Sequence, residues 1–446
     1  MIIVLMLAAV LGIFAGRELW LMKNKQLDAD NFRDILTAEN MTQKSSEPNY
    51  TKNPEADSED ATDTVNSEID NGDTTNAVNP EINSEDITDS SNPGENAPDL
   101  SNPQNKDLFA DYYGQAEELL RGMTLEEKVG QMFLVRFPES GVIEEIENEH
   151  PGGYILFGRD FKDETKSSIL KKLEDCQNAS KIRLILGVDE EGGTVVRVSA
   201  YEAFRSSRFL SPQQIWADGQ LPAILEDSTE KSNLLKSIGL NMNLAPVADV
   251  PTKSSSFIYN RSYGRGAENT SIYVAQLIET MNRDGMISVM KHFPGYGDNV
   301  DTHTGIAIDE RSYDVFENSD FLPFQSGIEA GGPCILVSHN IVKAMDADKP
   351  ASLSKNVHDI LRNELNFSGI IMTDDLAMDA VKSYAENGEA AIQAVLAGND
   401  MIISSDFQEQ KQEILNAVEQ GRISEALIDE AVKRILAWKY MYEVIQ

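Results

Sequence analysis

The chain has 446 residues, 41% of them apolar and 7% aromatic, enough to bury one large core or two ordinary ones. Its 38 basic and 74 acidic side chains leave a net charge of −36, which excludes the basic footprint that nucleic-acid binding needs. Two cysteines, Cys176 and Cys334, lie far apart with no CxxC spacing, so neither a disulfide framework nor a zinc ribbon is expected.

The chain starts "MIIVLMLAAVLGIFAGRELWLMKNK". The apolar run from Ile2 to Ala15 is short for a span, which takes about 20 residues. Leu19 to Met22 extend it past Arg17 and Glu18. We expect residues 1–25 to be a membrane anchor, or a signal peptide cleaved near "IFAG". Residues 26–106 follow as an acidic linker rich in Asn, Ser, Asp and Pro. It carries an imperfect repeat, "NPEADSED" at Asn53 and "NPEINSED" at Asn79. Such a segment buries too little apolar surface to offset its chain entropy, so disorder is expected, extended by like charge. The first 106 residues hold 20 acidic and 7 basic side chains, leaving 54 and 31 for the remainder. A working domain that is itself acidic, at about −23, therefore stands off a membrane, outside the cytoplasm, or is secreted if the N-terminal segment is cleaved.

From Asp107 the pattern changes. Eight short apolar runs, "QMFLVRF", "GGYILFG", "RLILGVD", "NMNLAPVADV", "ISVMKHF", "CILVSHN", "GIIMTDD" and "DMIISSD", alternate with amphipathic stretches. Runs that barely alternate predict strands buried on both faces, as in a parallel sheet. The spacing over 107–446 predicts an α/β fold, a single (β/α)8 barrel of the TIM type, closed by the helical "ISEALIDEAVKRILAWKYMYEV". Asp189, Asp249, Lys291 with His292, His339 and Asp374 each terminate an apolar run. In a parallel barrel those ends converge on the active-site face. Three carboxylates without a Cys/His ligand set suggest carboxylate chemistry, with no metal or other cofactor.

One loop concentrates titratable groups. "KHFPGYGDNVDTHTG", Lys291 to Gly305, holds two of the chain's five histidines, two aspartates and a lysine among three glycines. It resembles the signature of the β-N-acetylglucosaminidase branch of glycoside hydrolase family 3. Other elements similar to that family stand in order: "MTLEEKVGQM" at Met123, "GGYILFGRD" at Gly152, "GVDEEGGTVVR" at Gly187, "LAPVADV" at Leu244, "NRSYG" at Asn260 and "MTDDLAM" at Met372.

The resemblance covers 107–446 and implies a retaining glycosidase. Asp374 would be the nucleophile that forms a glycosyl-enzyme, with Asp375 a helix-terminal or supporting carboxylate. Asp301 and His303 would form an acid/base dyad in which the aspartate fixes the imidazole tautomer. Asp189, Arg197, Arg261, Lys291 and His292 would hold sugar hydroxyls, and Gly192 and Gly193 would let backbone approach closely. The implied substrate is a terminal β-N-acetylglucosamine of cell-wall or chitin-like oligosaccharides, and a monomer is expected. Two departures stand out: Tyr296 replaces the usual His or Leu, and the stretch from Gly297 to Asp301 is one residue short. Same-fold phosphorolysis, β-glucosidase activity and a catalytically inactive sugar-binding wall protein remain as alternatives.

Overall fold

The apolar runs become short parallel strands. The computed structural model describes residues 107–299, 307–378, 381, 384 and 389–446, so the expected anchor and linker, and the loop residues Asp301 and His303, lie outside it. Along the chain come β1 (Phe133–Arg136), β2 (Gly153–Leu156), β3 (Ile185–Val188), β4 (Met242–Asn243), β5 (Ile287–Ser288) and β6 (Met290–Phe293). They are followed by β7 (Ile308–Asp309), β8 (Cys334–Val337), β9 (Ile341–Val342), β10 (Ile370–Thr373) and β11 (Ile402–Ser404). Each of the eight predicted runs contains at least one of these strands.

Two parallel ladders account for most of them, β11-β1-β2-β3-β4-β5 and β10-β8-β6. Phe133 pairs with Ile402, Gly153 with Ile185, and Cys334 with Ile370. Single parallel bridges join Val247 to Lys291 and Met372 to Met401, next to the ends of the two ladders. Helices fill the crossovers, among them Lys166–Ala179, Pro212–Ser237, Gly266–Arg283 and Ala390–Ala397, and Glu425–Met441 ends the succession. Thr124 and Ser211 cap their helices in reciprocal capping boxes with Glu127 and Gln214, satisfying first-turn N–H groups the helix cannot satisfy itself.

Buried side chains on both sides of the strands explain the weak alternation. Phe133, Leu134, Tyr154, Leu156, Leu186 and Trp438 share one apolar cluster, and Met290, Phe293, Phe324, Ile335 and Ile371 share another. Removing each such side chain from water contributes about 1.5–3 kcal/mol. Below the strands sits a buried ion cluster. Asp400, fully buried, accepts from Arg362 Nη2 at 2.6 Å, Arg434 Nε at 2.7 Å and the Ile371 amide at 2.9 Å. It ties the last helix to the start of β10.

Two details depart from the sequence reading. "ISVMKHF" is not one strand: β5 and β6 break at Val289, and Lys291 and His292 lie inside β6 rather than beyond its end. The cause is opposite them, where Pro246 has no N–H to give the ladder. The regular ladder ends at Asn243, single bonds from Val289 N to Ala245 O at 2.9 Å and from Lys291 N to Pro246 O at 3.1 Å continue it, and the Val247–Lys291 bridge follows. A small parallel pair, β7 with β9, was also unforeseen. Among the described residues no helix is long and apolar enough to cross a membrane.

Candidate active site

In a parallel sheet all strand C-termini share one edge. Asp189 follows β3 in one ladder, while His339 follows β8 and Asp374 follows β10 in the other, so each of these three predicted residues lies at the C-terminal end of a parallel strand.

From Asp189 a chain of ion pairs runs sideways. Its Oδ1 accepts from Lys291 Nζ at 2.5 Å, and the same ammonium lies 2.7 Å from Glu191 Oε1. Glu191 takes Arg261 in a two-pronged grip, Nε at 3.0 Å and Nη2 at 2.8 Å. Arg261 Nη2 is 3.2 Å from His292 Nε2, and His292 Nδ1 is 2.8 Å from Asp249 Oδ2. Guanidinium can only donate, so Nε2 of His292 accepts and Nδ1 carries the proton toward Asp249. Asp249 also accepts from the backbone N–H of His292 and of Tyr296, at 3.1 and 2.8 Å.

Burial sets the electrostatics. Lys291 and Glu191 side chains are each 3% exposed, Asp189 14% and Arg261 16%. Desolvation opposes ionising Glu191, but Arg261 and Lys291 outweigh it and hold the carboxyl well below the usual range. Desolvation likewise pulls Lys291 down, and Asp189 with Glu191 reverse it, so the ammonium stays charged. Four predicted contacts, Asp189, Arg261, Lys291 and His292, thus belong to one network whose members present only narrow polar edges outward.

Arg197 sits apart from those pairs. Its guanidinium lies 5.9 Å over the Phe157 ring, which Arg136 also covers at 4.7 Å, and its Nε is buried without a hydrogen-bond partner among the described residues. The loop that carries it is held from inside. Glu190, fully buried, accepts the amides of Arg197 at 2.8 Å, Val198 at 2.7 Å and Ser199 at 3.2 Å. Gly192 and Gly193 have φ of 108° and 63°. A Cβ on either would strike Leu210 or Ser211, so the close approach these glycines permit is to the chain's own backbone.

Asp374 is half-buried, its amide donating to Val337 O at 3.1 Å and its Oδ1 accepting the Asp375 amide at 2.9 Å. Asp375 is a supporting carboxylate, as expected. Its Oδ1 accepts the amides of Ala377 and Ser405 at 2.9 and 3.2 Å, and its Oδ2 takes Ser405 Oγ at 2.5 Å. His339, 1% exposed, bridges Ser352 Oγ (2.7 Å) and the Asp375 carbonyl (2.9 Å). It is a satisfied strand-end histidine that steadies the turn after Asp374. Tyr296 is 2% exposed and packs edge-on against His292 and Phe257, so the departure in the motif is a buried ring.

Sequence reasoning passed over Glu191 and left Asp249 without a role. The signal for Glu191 was present: it is the third of three consecutive acids, Asp189 to Glu191, and two cations, Lys291 and Arg261, pair with it. Among the described residues no group of three or more His, Cys, Asp or Glu could hold a metal ion.

Parallel α/β ladders that carry an aspartate at one strand end and a network of fixed donors and acceptors at others have the construction of a sugar-cleaving enzyme. Residues 124–438 match the Glycosyl hydrolase family 3 N terminal domain, and the chain belongs to that family of glycosidases. It is 32% identical over 279 residues to a beta-hexosaminidase of Nitrosomonas eutropha, covering 61% of this chain and 80% of that one. A family 3 beta-N-acetylglucosaminidase from a Paenibacillus species superposes with a TM-score of 0.68 at 30% identity, over 72% of this chain and 63% of its own. The beta-N-acetylhexosaminidase of Beutenbergia cavernae superposes with a TM-score of 0.63 at 26% identity, over 71% and 99%. The chain thus spans less than two thirds of the Paenibacillus enzyme.

Proposed function

We propose that this chain is a retaining, exo-acting β-N-acetylglucosaminidase that removes terminal β-N-acetylglucosamine from cell-wall or chitin-like oligosaccharides. The observation that supports the reading is Asp374 directly after β10, with Asp189 and its ion network directly after β3, both at C-terminal ends of parallel strands. Asp374 attacks the anomeric carbon and leaves a covalent glycosyl-enzyme. His303, oriented by Asp301, protonates the departing oxygen and then deprotonates the incoming water. Asp189, Arg197, Arg261, Lys291 and His292 hold the hydroxyls of the terminal sugar. A buried donor or acceptor left without its hydroxyl costs about 1–3 kcal/mol, which gives such a site selectivity.

The strands close into a single eight-stranded barrel, a reading supported by the Met372–Met401 bridge and by the adjacency of β5 and β6 in sequence. The domain spans 107–446, acts as a monomer and works outside the cytoplasm, held at the membrane by residues 1–25 through the linker 26–106, or free if that segment is removed. The hexosaminidase names of the relatives support the substrate class.

Turnover of chromogenic β-N-acetylglucosaminide against β-glucoside, with and without phosphate, tests this. Activity confined to the N-acetylglucosaminide and abolished by Asp374→Ala is expected. Turnover unaffected by that substitution, or sugar-1-phosphate as the main product, overturns the proposal.

A further inference from the structure

We propose that Arg311 is a positioning residue for the acid/base loop, acting through the two chain segments that lead into it and out of it. The inference rests on the assignment of Asp301 and His303 above. On the incoming side, the Arg311 Nη2 donates to the Gly295 carbonyl at 3.0 Å. On the outgoing side, its Nε donates to Asp309 Oδ1 and Oδ2 at 3.0 and 2.9 Å, and Nη2 reaches Oδ2 at 2.7 Å. Its remaining nitrogen, Nη1, holds Asp320 at 2.9 and 3.1 Å. The planar fork is thus spent on three fixed acceptors, and a flexible ammonium could not serve all three at once.

The surroundings make the guanidinium a template. Asp309 and Asp320 are 4% and 1% exposed, and the Phe316 ring lies 4.3 Å beneath the Arg311 Cζ. Gly297 runs so close that a Cβ there would stand 2.5 Å from Nη1, with φ at 54°. A Cβ on Gly295, at φ 114°, would collide with Asp320. These glycines therefore serve a close fit of the incoming backbone against the Arg311–Asp320 pair. The outgoing segment is pinned in turn. Ala307 O accepts from Ile341 N at 2.8 Å, and Asp309 O accepts from Lys343 N at 3.0 Å, in the β7–β9 pair beside His339. The incoming segment is anchored further by Ser338 N on Phe293 O at 2.9 Å. Arg311 spans both anchors, so its loss changes the separation and direction of the two ends without touching substrate.

A ratio of kcat/KM values separates positioning from mere stability, because it does not depend on the folded fraction. An alkyl N-acetylglucosaminide needs a proton on its leaving oxygen, whereas a 2,4-dinitrophenyl one barely does. For Arg311→Met we expect kcat/KM to fall on the order of 10- to 100-fold on the alkyl substrate, with the dinitrophenyl substrate nearly unchanged. Arg311→Lys should recover part of the loss, and in a His303→Ala background Arg311→Met should cost nothing further. Equal losses on both substrates, or the same loss with His303 absent, overturn the inference. His303→Ala alone reports on the underlying assignment. If it shows no preference between leaving groups, that assignment falls and this inference with it; if it shows the preference and Arg311→Met does not, the inference alone falls. Should Arg311→Met not fold, the isosteric Asp309→Asn is read by the same ratio and the same two outcomes.

Discussion

Glu191→Gln removes one charge from the middle of the ion network and little else. The amide keeps the shape and one acceptor, but Lys291 and Arg261, at 3% and 16% exposure, are left with Asp189 as the remaining carboxylate of the pair network. Deleting one partner of a buried ion pair costs about 3–5 kcal/mol, because the stranded charge stays desolvated. For a domain of this size that is roughly a 4–7 °C drop in Tm. The pH dependence gives a second signature. The folded carboxyl titrates below its unfolded value, so its contribution is fully present above the unfolded pKa, about 4.3. It is lost as pH falls toward the folded value, and the parent and Glu191→Gln should converge in stability in acid. Urea unfolding followed by tryptophan fluorescence at pH 7 and at stepwise lower pH measures both effects. An unchanged midpoint at pH 7, or a gap that widens as pH falls from about 4, would refute the electrostatic account.

Lys439→Met should behave in the opposite sense. Lys439 is fully buried with Gln131 Oε1 at 2.7 Å, and desolvation pushes its ammonium down to about 7. The unfolded chain binds that proton up to about pH 10.4, so the parent gains stability as pH rises between those values. The methionine variant should be more stable near pH 7 by about 1–2 kcal/mol, after allowing for an unpaired Gln131, and the advantage should vanish by pH 10 in thermal melts. Asp400→Ala should lower stability by about 3–5 kcal/mol, since Arg362 and Arg434 lose their shared buried carboxylate; denaturant titration reads it directly. His339→Ala should lower kcat while leaving KM for the N-acetylglucosaminide nearly unchanged, because it frees the Asp375 carbonyl next to Asp374. A Michaelis series on purified enzyme checks that split.

The strands were legible because an apolar run buried on both faces has no competing signal, as in "CILVSHN" and "GIIMTDD". What hid the β5–β6 break was a proline on the neighbouring segment, more than forty residues earlier, whose effect is visible only once Pro246 is set against β6. The β7–β9 pair is two residues long on each side, too short for any periodicity. At the site, strand-end position alone found Asp189, Asp249, Lys291 with His292, His339 and Asp374. It could not tell a residue facing substrate from one holding a neighbour, and His339 is the second kind. The resemblance added Arg261 and gave Lys291 and His292 their sugar-binding role; that these residues lean on each other and on Glu191 is a property of packing. Arg311 had no signal at all, because its partners Gly295, Asp309 and Asp320 are unremarkable until the turns bring them together.

The paired charges also bear on how substrate arrives. Asp189 and Glu191 cancel Lys291 and Arg261 at contact distance, so this part of the pocket casts almost no field of its own, inside a domain carrying about −23. A neutral sugar should then enter by plain diffusion, with a rate indifferent to ionic strength, whereas an oligosaccharide bearing carboxylates must climb the surrounding potential and should be taken faster as salt is raised.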